Sequence, residues 1–236
     1  MMPLSVSCKL TAPHPCAYLT DQSAQQLFVD SESLPLSTEH IYPLLIDQGF
    51  RRSGQQLYRP QCEHCQACIP IRVPVVSFQA SRQQKRVFKN CTDWQITDKP
   101  AHFSAQHFAL YQRYLNSRHP DHEAVGPKDY QAFLCSDNDM THLHEFWWQQ
   151  QLIAVAITDY LPQGLSAVYT FFDPEYAKLS PGSFAILWQI QRAQQLGLPY
   201  VYLGYWVANS QKMAYKNAYQ PAEIWYQQQW QPMMPQ

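Results

Sequence analysis

No apolar run in this sequence of 236 residues is long enough to cross a bilayer: the longest, "LIAVAI" at residues 152–157, falls far short of the roughly 20 residues a helical span needs. The opening "MMPLSVSCKL" lacks the charged start and apolar centre of a secretory leader. Charge is sparse too, at 15% of residues with a net of −1, so no global attraction to a polyanion is expected. Internal repeats and low-complexity tracts are missing, although glutamine is frequent. Cysteine occurs seven times, an odd number that fits poorly with a complete disulfide framework. These absences point to a folded protein of the cytoplasm, where thiols stay reduced.

What is present is a hydrophobic content of 46%, that of a globular chain. Aromatic residues make up 14%, with 15 Tyr and 7 Trp; such a surplus lines ligand surfaces or fills a tyrosine-rich core. Positive charge is concentrated. Residues 48–92 hold Arg51, Arg52, Arg59, Arg72, Arg82, Lys85, Arg86 and Lys89 against the single carboxylate Glu63. That local field suits phosphates or another anion even though the whole chain is near neutral.

The pattern changes near Pro100, which predicts an N-terminal domain over 1–99 and a second domain over 100–236. In the first, "STEHIYPLLIDQGF" reads as a helix capped by Ser37 or Thr38 and stopped at Gly49. "IPIRVPVVSF" reads as a strand that Pro70 and Pro74 confine to an edge or a bulge. In the second, helices are expected in "HFSAQHFALYQRYLNSRH", "GPKDYQAFL", "SFAILWQIQRAQQLG" and "SQKMAYKNAY". Strands are expected in "THLHEFWW", "QLIAVAITDYL", "GLSAVYTFF", "YVYLGYW" and "EIWYQQQW". The fold class is α+β.

Three stretches carry candidate chemistry. "RPQCEHCQACIPIR" spaces Cys62, Cys65 and Cys68 by two residues, and Cys16 is the natural fourth ligand. The set suits tetrahedral zinc or an iron–sulfur cluster, with unligated buried thiols as the plain alternative. "LSPGSF" leads into a helix, so Ser180, Gly182 and Ser183 offer a helix N-terminus to an anion. In "YLGYWVANSQKMAYK", Lys212 and Lys216 are four apart, on one face of the expected helix. Tyr202, Tyr205 and Trp206 could flank a base or an aminoacyl group.

These stretches resemble the aminoacyl-tRNA–protein transferase family. "GFRRSG" with "YRP", "C.AC.PIRVPV", "SRQQKRV", "LYQRYLNSRH", "AVAITD", "GLSAVYTFFDP", "FAILWQI" and "YVYLGYW" with "KMAYK" occur in the family's order. They cover nearly the whole chain, from about residue 16 to 225. The short length is similar to the bacterial branch, which moves leucine from leucyl-tRNA onto proteins beginning with Asp or Glu and marks them for N-degron degradation. The resemblance implies a second domain of the GCN5-related N-acetyltransferase (GNAT) type, with Ser180 to Ser183 facing the 3′ end of tRNA. Where relatives carry an Arg-Ser-Leu-Gly-like turn this chain has "LSPG", which leaves phosphate contact there to backbone N–H groups. It also implies that the Cys16, Cys62, Cys65 and Cys68 set is similar to the one that binds an iron–sulfur cluster in eukaryotic members, although transfer itself requires no cofactor.

The implied acceptor is a protein α-amino group of pKa roughly 7.7–8, an appreciable fraction of which is already neutral. Alignment of ester and amine then matters more than a strong base. The expected proton acceptors are Asp159 and then Glu145. Arg51, Arg52 and Arg82, with Tyr58 shaping the pocket, are expected to grip the acidic first side chain. Arg118, His119, Lys212 and Lys216 are assigned to tRNA contact or donor placement. The rival readings are an arginyl donor on the same scaffold, a coenzyme A-dependent N-acetyltransferase and a noncatalytic zinc-containing nucleic-acid module.

Overall fold

The computed structural model describes residues 6–30, 38–118 and 123–234. It has two compact units, Met1–Val73 with Leu203–Gln236, and Pro74–Tyr202. The first begins with an antiparallel sheet in the order β1 (Cys8–Leu10), β4 (Gln26–Val29), β6 (Gln56–Pro60), β5 (Arg51–Ser53), with β2 (His14–Pro15) and β3 (Ser23–Ala24) forming a small separate hairpin. Helix α1 (Thr38–Ile46) buries Ile41, Tyr42, Leu45 and Ile46; Ser37 lies outside the described residues. Gly49 ends the helical stretch in the left-handed region, at φ 82°. A Cβ there would stand 2.9 Å from Pro70 Cγ and 3.1 Å from Trp225 Cδ1, so only glycine fits without displacing both rings. Strand β7 (Ile69–Pro74) follows.

The second unit places helices on both faces of a mixed sheet. Its elements are α2 (Arg82–Asn90), β8 (Gln95–Pro100), α3 (Ala105–Arg118), α4 (Pro127–Leu134), β9 (Thr141–Trp148), β10 (Gln151–Leu161), β11 (Gly164–Phe172), α5 (Pro181–Gln195) and the start of β12 (Tyr200–Trp206). The strands lie in chain order from β8 to β12. All pair antiparallel except β11 and β12, which are parallel and joined by α5, the crossover that parallel strands require. Pro100, where the sequence pattern changes, is the last residue of β8.

Strand β10 explains why "LIAVAI" is apolar without alternation. Leu152, Val155 and Ile157 join a core with Leu110, Tyr111, Leu115, Tyr130 and Leu134 of α3 and α4. Ile153, Ala154 and Ala156 join a second core on the other face, with Phe184 and Ala185 of α5 and, from α2, Val87 and Phe88. A strand covered on both faces reads as a continuous apolar run. The register shift against β9 between Leu152 and Ala154 lets neighbours 153 and 154 share a face, as a bulge does.

The chain then returns to the first unit, where β12 neighbours β7 and is followed by the hairpin β13 (Glu223–Tyr226) and β14 (Gln229–Pro232). Two expectations need correction. Strand β7 is interior, between β12 and β13; Pro70 and Pro74 stand at its second and last positions, so its middle keeps its donors. The stretch 210–219 is not an α-helix but turns with a short 3-10 helix, Ala214–Ala218, so Lys212 and Lys216 share no helical face: Lys212 is exposed and Lys216 buried. Among the described residues, no helix is long and apolar enough to cross a membrane.

Candidate active site

In the first unit two buried cations converge on a glycine. Arg51 comes from β5 and Lys216 from the 3-10 turn; both are less than a tenth exposed. Gly204 on β12 holds φ 86°. A Cβ built there would sit 3.4 Å from Arg51 Nε and 3.4 Å from Lys216 Nζ, so the bare backbone leaves the two side chains room to approach one strand. Lys216 Nζ donates to the Tyr205 carbonyl at 2.8 Å. Burial, reinforced by the Arg51 charge and opposed by Cys68, brings its pKa down to about 7. The two like charges therefore oppose one another in a low-dielectric setting.

Around them stand the other residues singled out in the sequence. Tyr58 is across the β5–β6 pair from Arg51, and burial raises its phenol, with Arg51 opposing. Tyr205, itself buried, donates its hydroxyl to the Gly49 carbonyl at 3.0 Å and to that of Tyr58 at 3.2 Å. The hydroxyl thus ties β12 to the turn after α1 and to β6, and Trp206 beside it is buried too. Arg52 is buried and donates to the Gly54 carbonyl at 2.7 Å, closing its own turn.

The cysteines of the opening motif lie in this unit. Cys68 is pushed up to about 12 by burial and by the proximity of Cys16, Cys62 and Cys65, so the four sulfurs share a neighbourhood. All seven cysteines are free thiols. Among the described residues, no group of three His, Cys, Asp or Glu side chains is placed to hold a metal ion. The donor set is right for zinc or an iron–sulfur cluster in kind, but its arrangement does not fit one.

In the second unit a row of polar residues crosses the sheet. Register pairs Thr141 with Asp159, Asp159 with Ser166, and Ser166 with Tyr202, so the four project from one face. Each is buried, and Thr141 Oγ1 donates to Asp159 Oδ1 at 2.8 Å. The row marks a transition: β11 and β12 pair at Gly164, Leu165 and Ser166, and the ladder ends there. Glu145 sits elsewhere, in a closed network. Its Oε2 accepts from Thr97 Oγ1 at 2.6 Å and Trp147 Nε1 at 2.9 Å, and its Oε1 lies 2.7 Å from His107 Nε2. Burial alone would raise this carboxyl, but the bonds from Thr97, Trp147 and His107 outweigh it and hold the pKa below its usual range.

At the far end of β11, Ser180 takes a left-handed conformation, φ 59°, between a 3-10 turn (Pro174–Leu179) and α5. Gly182 and Ser183 lie in the first turn of α5, where N–H groups have no intrahelical acceptor. A Cβ on Gly182 would make only an ordinary contact, 3.6 Å from Phe172. Arg118, at the exposed end of α3, places its guanidinium 5.5 Å from the centre of the same Phe172 ring. Arg82 is the first residue of α2 and exposed. His119 lies outside the described residues. Sequence spacing alone had no means of finding Gly204, Thr141 and Ser166, because register and tertiary approach give them their place.

Residues 14–86 match the family described as arginine-tRNA-protein transferase, N terminus, and residues 106–226 match its C terminus. The chain is 48% identical over 222 residues to an aspartate/glutamate leucyltransferase of Pseudomonas fluorescens (strain Pf0-1), which covers 93% of this chain and 94% of that relative. It is 46% identical, with the same coverage, to proteins of that name in Pseudomonas paraeruginosa and Pseudomonas syringae pv. tomato. L-PGS from Bacillus licheniformis overlays at TM-score 0.46 with 9% identity, over 70% of this chain and 50% of that one, a likeness too loose to define the fold. The chain belongs to the aminoacyl-tRNA–protein transferase family and is an aminoacyltransferase. Within that family it falls in the bacterial branch whose curated members are named aspartate/glutamate leucyltransferases.

Proposed function

We propose that the protein transfers leucine from leucyl-tRNA to the α-amino group of proteins whose first residue is aspartate or glutamate, in the cytoplasm, marking them for N-degron degradation. The observation that carries this reading is 48% identity, over 93% of the chain, to a relative of that name. In the reaction the acceptor nitrogen attacks the ester carbonyl of leucyl-tRNA. A C–N bond forms, the C–O bond to the tRNA ribose breaks, and the ribose hydroxyl leaves with a proton. Because the ester is activated and the amine is partly neutral near pH 7, alignment supplies most of what the step needs.

Arg51 and Lys216 are the residues we assign to the acidic first side chain. Their burial and convergence at Gly204 support that role, since a desolvated carboxylate needs a cation to offset its loss of water. Tyr58, beside Arg51, shapes the pocket. For the proton released by the amine we assign Asp159 ahead of Glu145. Asp159 stands in the row where β11 and β12 part, whereas Glu145 sits away from it, on β9 opposite Thr97 of β8. The GNAT-like reading is supported by the parallel pair β11 and β12, their short ladder and the helix that starts just beyond β11. In it the 3′ end of tRNA lies at Ser180, Gly182 and Ser183, with Arg118 alongside. The free thiols of the cysteine set take no part in the transfer step.

The test is incorporation of labelled leucine from leucyl-tRNA into a peptide beginning with Asp, with arginyl-tRNA and a Lys-started peptide in parallel. Leucine on the Asp peptide alone is the expected result. Arginine incorporation would assign the donor to the other branch of the family. Absence of transfer from either verified tRNA would sink the proposal.

A further inference from the structure

Helix α2 lies outside the residues assigned above except for Arg82, and its two faces are unlike. Gln84, Val87, Phe88 and Cys91 turn inward: Phe88 meets Phe184 of α5 edge-on at 5.5 Å, and Cys91 Sγ lies 3.8 Å from the Leu179 carbonyl. Arg82, Lys85, Arg86 and Lys89 are all exposed. At about 3.6 residues per turn, these four cations fall in one stripe opposite the buried one.

Among the described residues, no carboxylate pairs with that stripe. None of the four side chains makes an ion pair or a hydrogen bond among those residues; the hydrogen bonds of Lys85 and Lys89 are made by their backbone. The first turn of the helix holds no acid and starts with Arg82, although a helix N-terminus disfavours a cation. The pairs 82/86 and 85/89, four residues apart, repel each other. The helix forms regardless because Ser81 and Gln84 close a capping box, at 3.2 and 2.8 Å, and its inner stripe packs on α5. Such a surface suits a regular run of external negative charge.

We infer that the outer face of α2 is a docking surface for the phosphodiester backbone of the donor tRNA; the inference rests on the transferase reading. Position favours this occupant over an acidic peptide. The C-terminal end of α2 touches Leu179 and Phe184, flanking the first turn of α5 where that reading puts the aminoacyl end. A stem leaving that point meets Lys89 first and Arg82 about 10 Å further along the helix. An acidic first residue carries one side-chain charge, which does not require four cations in a row.

The experiment uses the full chain and compares Lys85→Gln/Arg86→Gln/Lys89→Gln with the charge-keeping Lys85→Arg/Arg86→Lys/Lys89→Arg. Binding of deacylated and leucylated tRNA is followed against salt, together with transfer kinetics. Each phosphate neutralised contributes about 0.9 to the log–log salt slope on a duplex. The neutral triple variant is therefore expected to lose about 2.7 from the slope and at least about tenfold in affinity at low salt, equally for both tRNA forms. Its kcat at saturating tRNA and its KM for the Asp peptide stay unchanged, and the charge-keeping variant matches the parent. An unaltered slope and tRNA KM in the neutral variant overturns the inference, as does a rise confined to the peptide KM, which would make α2 an acceptor surface. Inactivity of the parent chain instead counts against the transferase reading itself.

Discussion

Lys216 couples recognition to pH. Its pKa near 7, set by burial and then by Arg51, means that raising pH through neutrality removes the charge a substrate carboxylate would seek. The ratio of kcat/KM for an Asp-started peptide to that for an Asn-started one should fall as pH rises from about 6 to 8; the common α-amine titration cancels in the ratio. Lys216→Arg, permanently charged, should flatten that profile. Lys216→Met should lower the ratio by about tenfold or more, the scale of one lost charge-assisted hydrogen bond. A pH-independent ratio in the parent protein would remove Lys216 from the recognition role. His144 offers a second titration, this time of stability. Burial outweighs the pull of Asp98, and with His142 and Arg192 also opposing a charge it lowers the ring to about pH 4. An unfolded histidine takes its proton near 6.5. Between those values the unfolded chain binds more protons, so stability falls as pH drops from about 6.5 to 4. Urea unfolding of His144→Gln should show a shallower loss over that window.

At the scale of elements, two hairpins turn through glutamine pairs. Gln149 and Gln150 join β9 to β10 with φ 47° and 65°, and Gln227 and Gln228 join β13 to β14 with φ 51° and 61°. Two positive φ values in a two-residue loop call for Asn-Gly, and a left-handed residue with a Cβ costs about 1–2 kcal/mol. Replacing Gln149-Gln150 with Asn-Gly should stabilise the second unit by about 1 kcal/mol, read as a thermal shift of about 2–4 °C; an unchanged or lower midpoint would mean that the glutamines have another part in the loop. The same turns explain one failure of sequence reasoning. "EIWYQQQW" reads as a single strand because nothing in Gln-Gln announces a bend. Helix α2 was legible in principle, since Ser81 followed by Gln84 is a capping-box signature, but its polar outer face hides the apolar period. Strands β9 to β12 and helices α3 to α5 were readable from their apolar pattern. The residues meeting at Gly204 were not, because Arg51 and Lys216 are brought together only by the fold.

For the molecule as a whole, the first unit is discontinuous in sequence and the second is not. Arg72 of β7 shows what this means. Its Nε donates to Glu223 Oε2 at 2.7 Å, its Nη1 to Asp47 Oδ1 at 3.1 Å, and its guanidinium lies 4.3 Å from the centre of a Trp230 ring. One residue from the first segment is therefore satisfied by partners on both. Expressed alone, residues 74–202 should unfold cooperatively, since both faces of their sheet are already covered. Residues 1–73 alone should show no such transition until 203–236 are supplied, and a cooperative melt of 1–73 would refute the dependence. The ends of the second unit are fastened side by side, with the Val75 N–H on the Pro199 carbonyl at 2.9 Å and Gln194 Nε2 on the Val75 carbonyl at 2.6 Å. During synthesis on the ribosome, then, order of emergence and order of completion differ. The middle of the chain can finish first, while Arg51 and Lys216, 165 positions apart by number, cannot come together until the segment that carries Lys216 has emerged.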